Sequence, residues 1–573
     1  MKTILAADCG STTTTAVLIE KGENGYHLQG AGQAPSTYGL PWEDITLGVR
    51  QAVRHIEKLV ERTLLAPSGW PITPQNAAGH GVDAFIVVTS AGEPLQLLIA
   101  GLMQEISLAS AQSAVTTTYA RPAAILSLDT QTEAHQTPES QIQAVHESVP
   151  ELILLVGGTE GGATRPIIEI AQVLSMALQI WPHQEKPGIL YAGNSQLRPE
   201  IADILGPITA LNSVSNLRPT LDIEDLTETR QALEKYYLER KMSQISGFDK
   251  LKNWTKYPIV PAGQSFEKLI TYLGQRNQLN VIGVNIGSRS TMASMRAGRQ
   301  QRSIIRSDAG IGHSLELFLK LVPLEKIQRW VPFELTTPEL YNHLLNKTLR
   351  PTTIPDSYQA LFIEHAVARE LLRLVVSQTQ RETPDIQWHL IIGAGRTLTG
   401  TPQAALAALT MIDGVEPWGV ASLALDQSGV VNMLGAIAAV EPLAAATVAA
   451  QDAFLNLGTV VAPTGHGTPG KAALTVKVEP ADEETVETEI MYGSLALIPL
   501  PAGQKASLEI RPTRHFDIGL GQPGRGAVAQ VEGGVMGIII DARGRPLKLP
   551  QKPAQRIDQL QQWLTALNIK YQA

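Results

Sequence analysis

Asp8-Cys9-Gly10-Ser11-Thr12-Thr13-Thr14 is the stretch of this sequence best equipped for chemistry. An apolar run ends in a carboxylate, followed by a glycine and a row of hydroxyls. Glycine lets backbone N–H groups turn toward a ligand, and the hydroxyls add donors. That set suits the phosphates of a nucleotide such as ATP, with Asp8 holding Mg2+ directly or through water. The same string also closes an ordinary β-hairpin with a threonine-rich second strand, so alone it leaves both readings open. Val284-Asn285-Ile286-Gly287-Ser288-Arg289-Ser290-Thr291 repeats the shape without the acid. Ile391-Ile392-Gly393-Ala394-Gly395-Arg396 carries an apolar run into glycines and toward a helix expected from about Pro402. Such a junction admits a flat base or ribose close to the backbone. Each segment alone is a routine turn. In this order they predict a nucleotide cleft bound by Gly10, Ser11, Thr12, Thr13, Asn285, Gly287, Ser288, Gly393, Gly395 and Arg396. Asp8 is the expected catalytic and metal-holding residue. Glu160, in a glycine-rich turn, is a candidate to orient water or magnesium, with a plain surface acid as the alternative.

Strand-forming runs must position these turns. Thr3 to Ala7 and Thr13 to Glu20 read as strands around the first turn, with a third strand near Tyr26 to Ala31. Glu43 to Leu65 has helical spacing, Ala84 to Val88 reads as a buried strand, and Pro94 to Ser110 as a helix opened by proline. Strands are then expected at Ala124 to Leu128, Leu152 to Val156 and Gly188 to Ala192, with helices between them. That alternation makes an α/β sheet. The strand-turn-strand opening recurs about 275 residues later, from Val281, as an internal repeat. Past Gly458 the chain breaks into short β-rich runs separated by Gly, Pro and Asp, which predicts a separate all-β module, with a helix at Gln555 to Leu567.

Totals narrow the class. The chain has 573 residues, too many for one core. Its formal charge of -8 argues against broad nucleic-acid binding and against an anionic membrane surface. The single cysteine, Cys9, excludes an internal disulfide and a multi-thiolate zinc site. The apolar stretch Val430 to Ala450 is broken by Glu441 and Pro442, so it suits a buried helix better than a membrane span. The start, Met1-Lys2-Thr3, reads straight into a strand. Together these features predict a cytoplasmic protein. Several apparent motifs are set aside. Gly465 to Ala472 resembles a phosphate loop but lacks its final hydroxyl and holds Pro469. Gly519 to Gly524 matches a dinucleotide pattern but leads to no helix. Glu364 and His365 read as solvated residues of an amphipathic helix, and Arg543 and Arg545 as part of a solvated basic rim.

The ordered triplet of turns resembles the two phosphate motifs and the adenosine motif of the superfamily of actin, heat-shock chaperones and sugar kinases. Further stretches narrow the likeness: Ser90 to Leu95, Leu154 to Gly162, Tyr191 to Asn194 and Gly429 to Ala436. With these, residues 1 to 450 resemble the glutamate mutase accessory family, called MutL or GlmL and unrelated to the mismatch-repair protein of that name. The resemblance implies two ribonuclease-H-like lobes, at 1–280 and 281–450, with a β-rich module at 451–573. It also implies ATP and Mg2+ as cofactors, and a reactivating or chaperone role toward a protein partner, an adenosylcobalamin-dependent mutase. Two departures stand out. The superfamily's second loop begins with an aspartate and carries another after its threonines, where this chain has Asn285 and Met292. Losing both acids weakens metal binding, so at most a slow ATPase is expected. A pseudo-ATPase scaffold and a small-molecule kinase remain as alternatives. The kinase would need an acid beside the phosphates, and the second loop supplies none.

Overall fold

The computed structural model describes residues 1–128, 137–381, 383, 385–480 and 484–571. β1 (Thr3–Cys9) is buried along its length except at Asp8, which is half-buried at its end. β2 (Thr13–Gly22) returns antiparallel to it, and β3 (Gly25–Pro35) completes a meander. The helix Ile45–Val60 follows, its first turn capped by the Asp44 carboxylate, which accepts the Thr46 N–H at 3.0 Å. β4 (Ala84–Thr89) then lies parallel to β1.

Contact density divides the chain into two compact units. One comprises Met1–Ala91, Ser246–Ile304 and Asp308–Ala573. The other comprises Gly92–Ile245 with Ile305–Ser307. The second unit holds β5 (Leu95–Gly101), β6 (Ala120–Ser127), β7 (Leu152–Leu155), β8 (Gly188–Tyr191) and β9 (Leu211–Ser213). All five are parallel, in the order β6-β5-β7-β8-β9. Alternate residues feed two cores: Leu98, Leu155 and Ile189 enter one, while Leu97, Leu154 and Leu190 enter the other. This is a doubly wound sheet, apolar on both faces, with order 2-1-3-4-5. The helix expected over Pro94 to Ser110 is therefore corrected. Leu95–Gly101 is a strand, because an unbroken apolar run between two parallel neighbours must be buried on both sides, and helix begins only beyond it, at Gln104.

The first unit resumes with β10 (Val260–Pro261), which pairs parallel with β4 and closes the sheet β10-β4-β1-β2-β3. The helix Ala262–Asn277 leads to β11 (Val281–Ile286), β12 (Thr291–Ala297) and β13 (Gln300–Arg306), a second meander. β14 (Leu390–Ala394) and β15 (Gly419–Leu425) add parallel strands. The order β13-β12-β11-β14-β15 repeats that of the first sheet. Two ribonuclease-H-like sheets are thus present, as the repeated turn predicted.

The second sheet does not stop near residue 450. β16 (Leu455–Ala462) joins β15 antiparallel. After β17 (Thr464–Gly465), β18 (Ala472–Pro480), β19 (Val486–Met491), β20 (Leu495–Ile498), β21 (Lys505–Pro512), β22 (Phe516–Asp517) and β23 (Ala527–Glu532), the strand β24 (Ile538–Asp541) pairs with both β16 and β20. The sheet therefore runs to eight strands. The four-stranded sheet β19-β18-β21-β23 and the short pair β17-β22 are the β-rich parts that lie outside it. Leu457, Val460 and Ile539 face the lobe core, while Val461, Ile538 and Ile540 face the β-rich core. The helix Pro553–Ala566 sends Leu560, Trp563 and Leu564 into the lobe core. Arg543 is buried and Arg545 half-buried, so neither is a solvated rim residue. Arg543 bonds Asp541 at 2.8 and 2.9 Å and pairs with Asp413 at 2.7 Å, and Arg545 bonds Asp541 at 2.7 Å. Among the described residues, no helix is long and apolar enough to cross a membrane.

Candidate functional site

The two predicted loops are the same turn built twice. Gly10 N–H donates to Thr13 O at 3.0 Å, and Gly287 N–H donates to Ser290 O at 2.9 Å. A Cβ at Gly10 would lie 2.8 Å from Thr13 O, and one at Gly287 2.8 Å from Ser290 O, so both turns require glycine. Strand register places Asp8 opposite Thr15 and Asn285 opposite Met292. Gly395, at φ +91°, ends β14 against the second turn, where a Cβ would meet Ile286 O at 2.2 Å.

A cleft of about 760 Å3 opens between these turns, lined wholly from the first unit. Asp8, Gly10, Ser11, Thr12, Thr13, Asn285, Gly287, Ser288, Gly395 and Arg396 all line it. Gly393 does not. A Cβ there would meet Met411 Sδ at 2.6 Å, so this glycine serves strand-to-helix packing. Ser288 lines the cleft, but its hydroxyl is engaged by His313, at 2.9 Å from Nδ1 and 3.2 Å from the backbone N–H. Glu160 belongs to the second unit. Its carboxylate accepts Asn216 Nδ2 at 2.9 Å and both the N–H and the hydroxyl of Ser195, clamping the loop after β7 to those after β8 and β9. Burial acts to raise its pKa, but the bonds from Ser195 and Asn216 prevail and lower it.

Three further residues line the cleft. Asn432 donates Nδ2 to Asp8 Oδ2 at 2.7 Å and accepts Asn285 Nδ2 on Oδ1 at 2.9 Å. One amide therefore joins the acid of the first turn to the amide of the second. The stretch Gly429 to Ala436 held that residue, but nothing in sequence aimed its side chain. Asp426, at the end of β15, accepts the N–H groups of Val430 and Val431 at 3.0 and 3.2 Å and also lines the cleft. Lone aspartates after strands are too common to single out. Glu364 was expected to be solvated. It is half-buried in the cleft wall, bonded to Lys347 Nζ at 2.9 Å and accepting the Thr397 hydroxyl at 3.1 Å.

The electrostatics favour a cation. Burial raises Asp8 to about 6, with the Asn432 hydrogen bond pulling the other way. Burial raises Asp426 to about 7 against its backbone N–H bonds, and the Asp8 charge adds to the rise. Asp8 Oδ1 is buried without a hydrogen-bond partner. A carboxylate oxygen left so is costly unless a ligand completes it. An Mg2+ ion fits this donor set, hard oxygens with room for water and phosphate. Among the described residues no group of three or more His, Cys, Asp or Glu stands ready to hold a metal alone.

The family model described as MutL protein matches residues 4–453. Protein MutL of Clostridium tetanomorphum is 22% identical over 212 residues, covering 36% of this chain and 43% of that protein. The chain thus spans less than half the length of this curated relative. Among solved structures, a ROK family glucokinase from Streptomyces griseus, in complex with glucose and AMPPNP, aligns with a TM-score of 0.27 and 10% identity, over 76% of this chain and 97% of that one. Component A of the Acidaminococcus fermentans (R)-2-hydroxyglutaryl-CoA dehydratase aligns with a TM-score of 0.25 and 9% identity, over 78% and 96%.

Proposed function

This chain belongs to the MutL protein family, and on that footing we propose that it is a nucleotide-binding accessory protein which reactivates an adenosylcobalamin-dependent carbon-skeleton mutase. The observation that carries the nucleotide part is the buried, uncompleted Asp8 oxygen between two matching glycine turns. Gly10 to Thr13 would hold phosphates, Asp8 with Asp426 nearby would hold Mg2+, and the wall around Gly395 and Arg396 would hold the nucleoside. Bound ATP supplies a phosphoanhydride, and with it a difference between triphosphate and diphosphate states. The chain's part is to register that difference. Asn432 bonds residues of both sheets, so a ligand that competes for Asp8 also loosens the tie to Asn285. A ligand shifts such an equilibrium only by its differential affinity for the two arrangements. By linkage, the partner must then favour one nucleotide state.

A scaffold that binds nucleotide without hydrolysing it is a second reading. It is favoured by the Asn285 amide, already spent on Asn432, and by Met292 opposite it. One experiment separates the two. A cognate mutase is inactivated by turnover, then supplied with adenosylcobalamin, this protein and either ATP or a non-hydrolysable analogue. Recovery of mutase activity with ATP alone supports the reactivator. Equal recovery with the analogue supports the scaffold. Absence of recovery and of any association with the mutase removes the partner assignment.

A further inference from the structure

The two turns are repeats, and so are the strands beside them. In the first sheet Val88 of β4 lies opposite Asp8, and in the second Ala394 of β14 lies opposite Asn285. Two places on from each, Ser90 holds in the first sheet the position that Arg396 holds in the second. Both line the cleft. Ser90 stands beside the first turn: a Cβ at Gly10 would lie 4.0 Å from its Oγ. Its backbone is fixed there. Ser90 N–H donates to Cys9 O at 3.1 Å. The Thr89 hydroxyl donates to the same oxygen at 2.8 Å and accepts the Ala91 N–H at 3.1 Å. The Ser90 hydroxyl itself makes no hydrogen bond among the described residues, and unlike those of Thr14 and Ser36 it is not sealed from solvent.

A free hydroxyl on a fixed backbone is a donor that loses little freedom on binding. Its surroundings select the acceptor. In the adjoining turn the N–H groups of Ser11 and Thr12 also have no hydrogen-bond partner among the described residues. This corner of the cleft therefore offers unspent donors, which suit an anion. The nucleoside wall lies on the second sheet, at Gly395 and Arg396, against the second turn. Their counterpart on the first sheet, against the first turn, is left for the far end of the ligand. We propose that Ser90 contacts the terminal phosphate of a bound nucleoside triphosphate, and that its hydroxyl distinguishes the triphosphate from the diphosphate. The inference rests on the nucleotide reading above. A serine is short and neutral, so it reads a phosphate oxygen only where one is present, and it returns to water when the terminal phosphate is lost.

The test is an equilibrium titration of the full chain in excess Mg2+, once with the non-hydrolysable analogue AMPPNP and once with ADP. Ser90→Ala should weaken AMPPNP binding by about tenfold or more, as loss of a hydrogen bond to a charged group does, and change ADP binding by less than about twofold. Ser90→Thr keeps the hydroxyl and should bind both nucleotides within about threefold of the parent. Melting temperatures without nucleotide, equal in the parent and both variants, guard against a folding defect. A Ser90→Ala protein that binds AMPPNP as the parent does overturns the proposal. So does a folded Ser90→Ala protein that loses both nucleotides equally, because Ser90 would then serve the inner phosphates or the turn itself. If the parent binds neither nucleotide, the nucleotide reading itself fails.

Discussion

Buried ionisable side chains among the described residues differ in whether an opposite charge of the chain stands beside them. Asp413, Asp541, Arg369, Arg543 and Arg545 balance one another's charge: Arg369 Nε donates to Asp413 at 2.7 Å, and Arg543 is ion-paired with both Asp413 and Asp541. Asp8 and Asp426 keep raised pKa values in the cleft, Asp426 while also accepting the N–H groups of Val430 and Val431. His365 is a third kind. It is fully buried, with Nδ1 at 2.8 Å from the Thr410 hydroxyl oxygen. That hydroxyl donates to Leu406 O at 2.7 Å, so Nδ1 carries the proton and Nε2 is left bare, without a partner. A second proton would bury a charge beside Arg369. Burial first, and that neighbour second, lower its pKa to about 3. In the unfolded chain it titrates near the ordinary 6.5. Between these values the unfolded state binds the proton and the folded state does not, so stability falls as pH drops from 6.5 toward 3. The loss is about 1.4 kcal/mol per pH unit, or about 2 kcal/mol at pH 5. His365→Gln should remove that slope. Urea unfolding of parent and variant at pH 7 and pH 5 checks it, and equal pH dependence in both proteins would show that His365 is hydrated in the folded state.

Elements were legible where one signal sufficed. The turns at Gly10 and Gly287 announced themselves through a carboxylate or amide, a glycine and hydroxyls, and the structure builds them as one motif twice. The capping box at Thr336, whose hydroxyl accepts the Glu339 N–H while the Glu339 carboxylate accepts the Thr336 N–H at 2.8 Å, is just as local, but the helix that it opens was not singled out from the sequence. Leu95–Gly101 was misread because a short apolar run has no period, and only its parallel neighbours make it a strand. Asn432 and Asp426 were illegible as site residues because their partners lie hundreds of positions away or on the backbone. Helix crossings were illegible too. Val431–Ala438 crosses Ala262–Asn277 so closely that a Cβ on Gly435 would lie 2.0 Å from Ser265 O, and Ala436 N–H donates to the Ser265 hydroxyl at 2.9 Å. One of these helices enters the second sheet and the other leaves it, so the crossing sets the relation of the sheets that flank the cleft. Gly435→Ala should cost about 3 kcal/mol, the upper range for overpacking, because the obstacle is backbone. Thermal unfolding measures it, and an unchanged melting temperature would mean that the crossing widens freely.

At the scale of the whole molecule, an expected boundary and the observed continuity give opposite forecasts for one truncated chain. A separate module after residue 450 would leave the lobes intact on removal. The strands tell otherwise. β16 supplies the next strand beyond β15, β24 and β20 extend it, and their two faces serve two cores at once. The final helix adds Leu560, Trp563 and Leu564 to the lobe core, with Leu567 and Ile569 beyond it. Burying five such side chains contributes on the order of 10 kcal/mol, comparable with the net stability of a domain. Cutting the chain would also strip Asp413 of Arg543, leaving Arg369 as its remaining ion-pair partner. It would expose the edge of β15 as an unpaired strand, a template for association between chains. A protein ending at Ala450 should therefore be insoluble, or should melt without a cooperative transition and without a shift in ATP. An intermediate chain ending after Ala542 would keep the eight strands but lose Arg543 and the last helix, and should fold with a lowered melting temperature. Circular dichroism melts of the three chains, with and without ATP, decide the matter. A soluble, cooperatively melting chain that ends at Ala450 and responds to ATP would show that the first five strands of the second sheet make a complete lobe, and that the strands after them are an accessory to it.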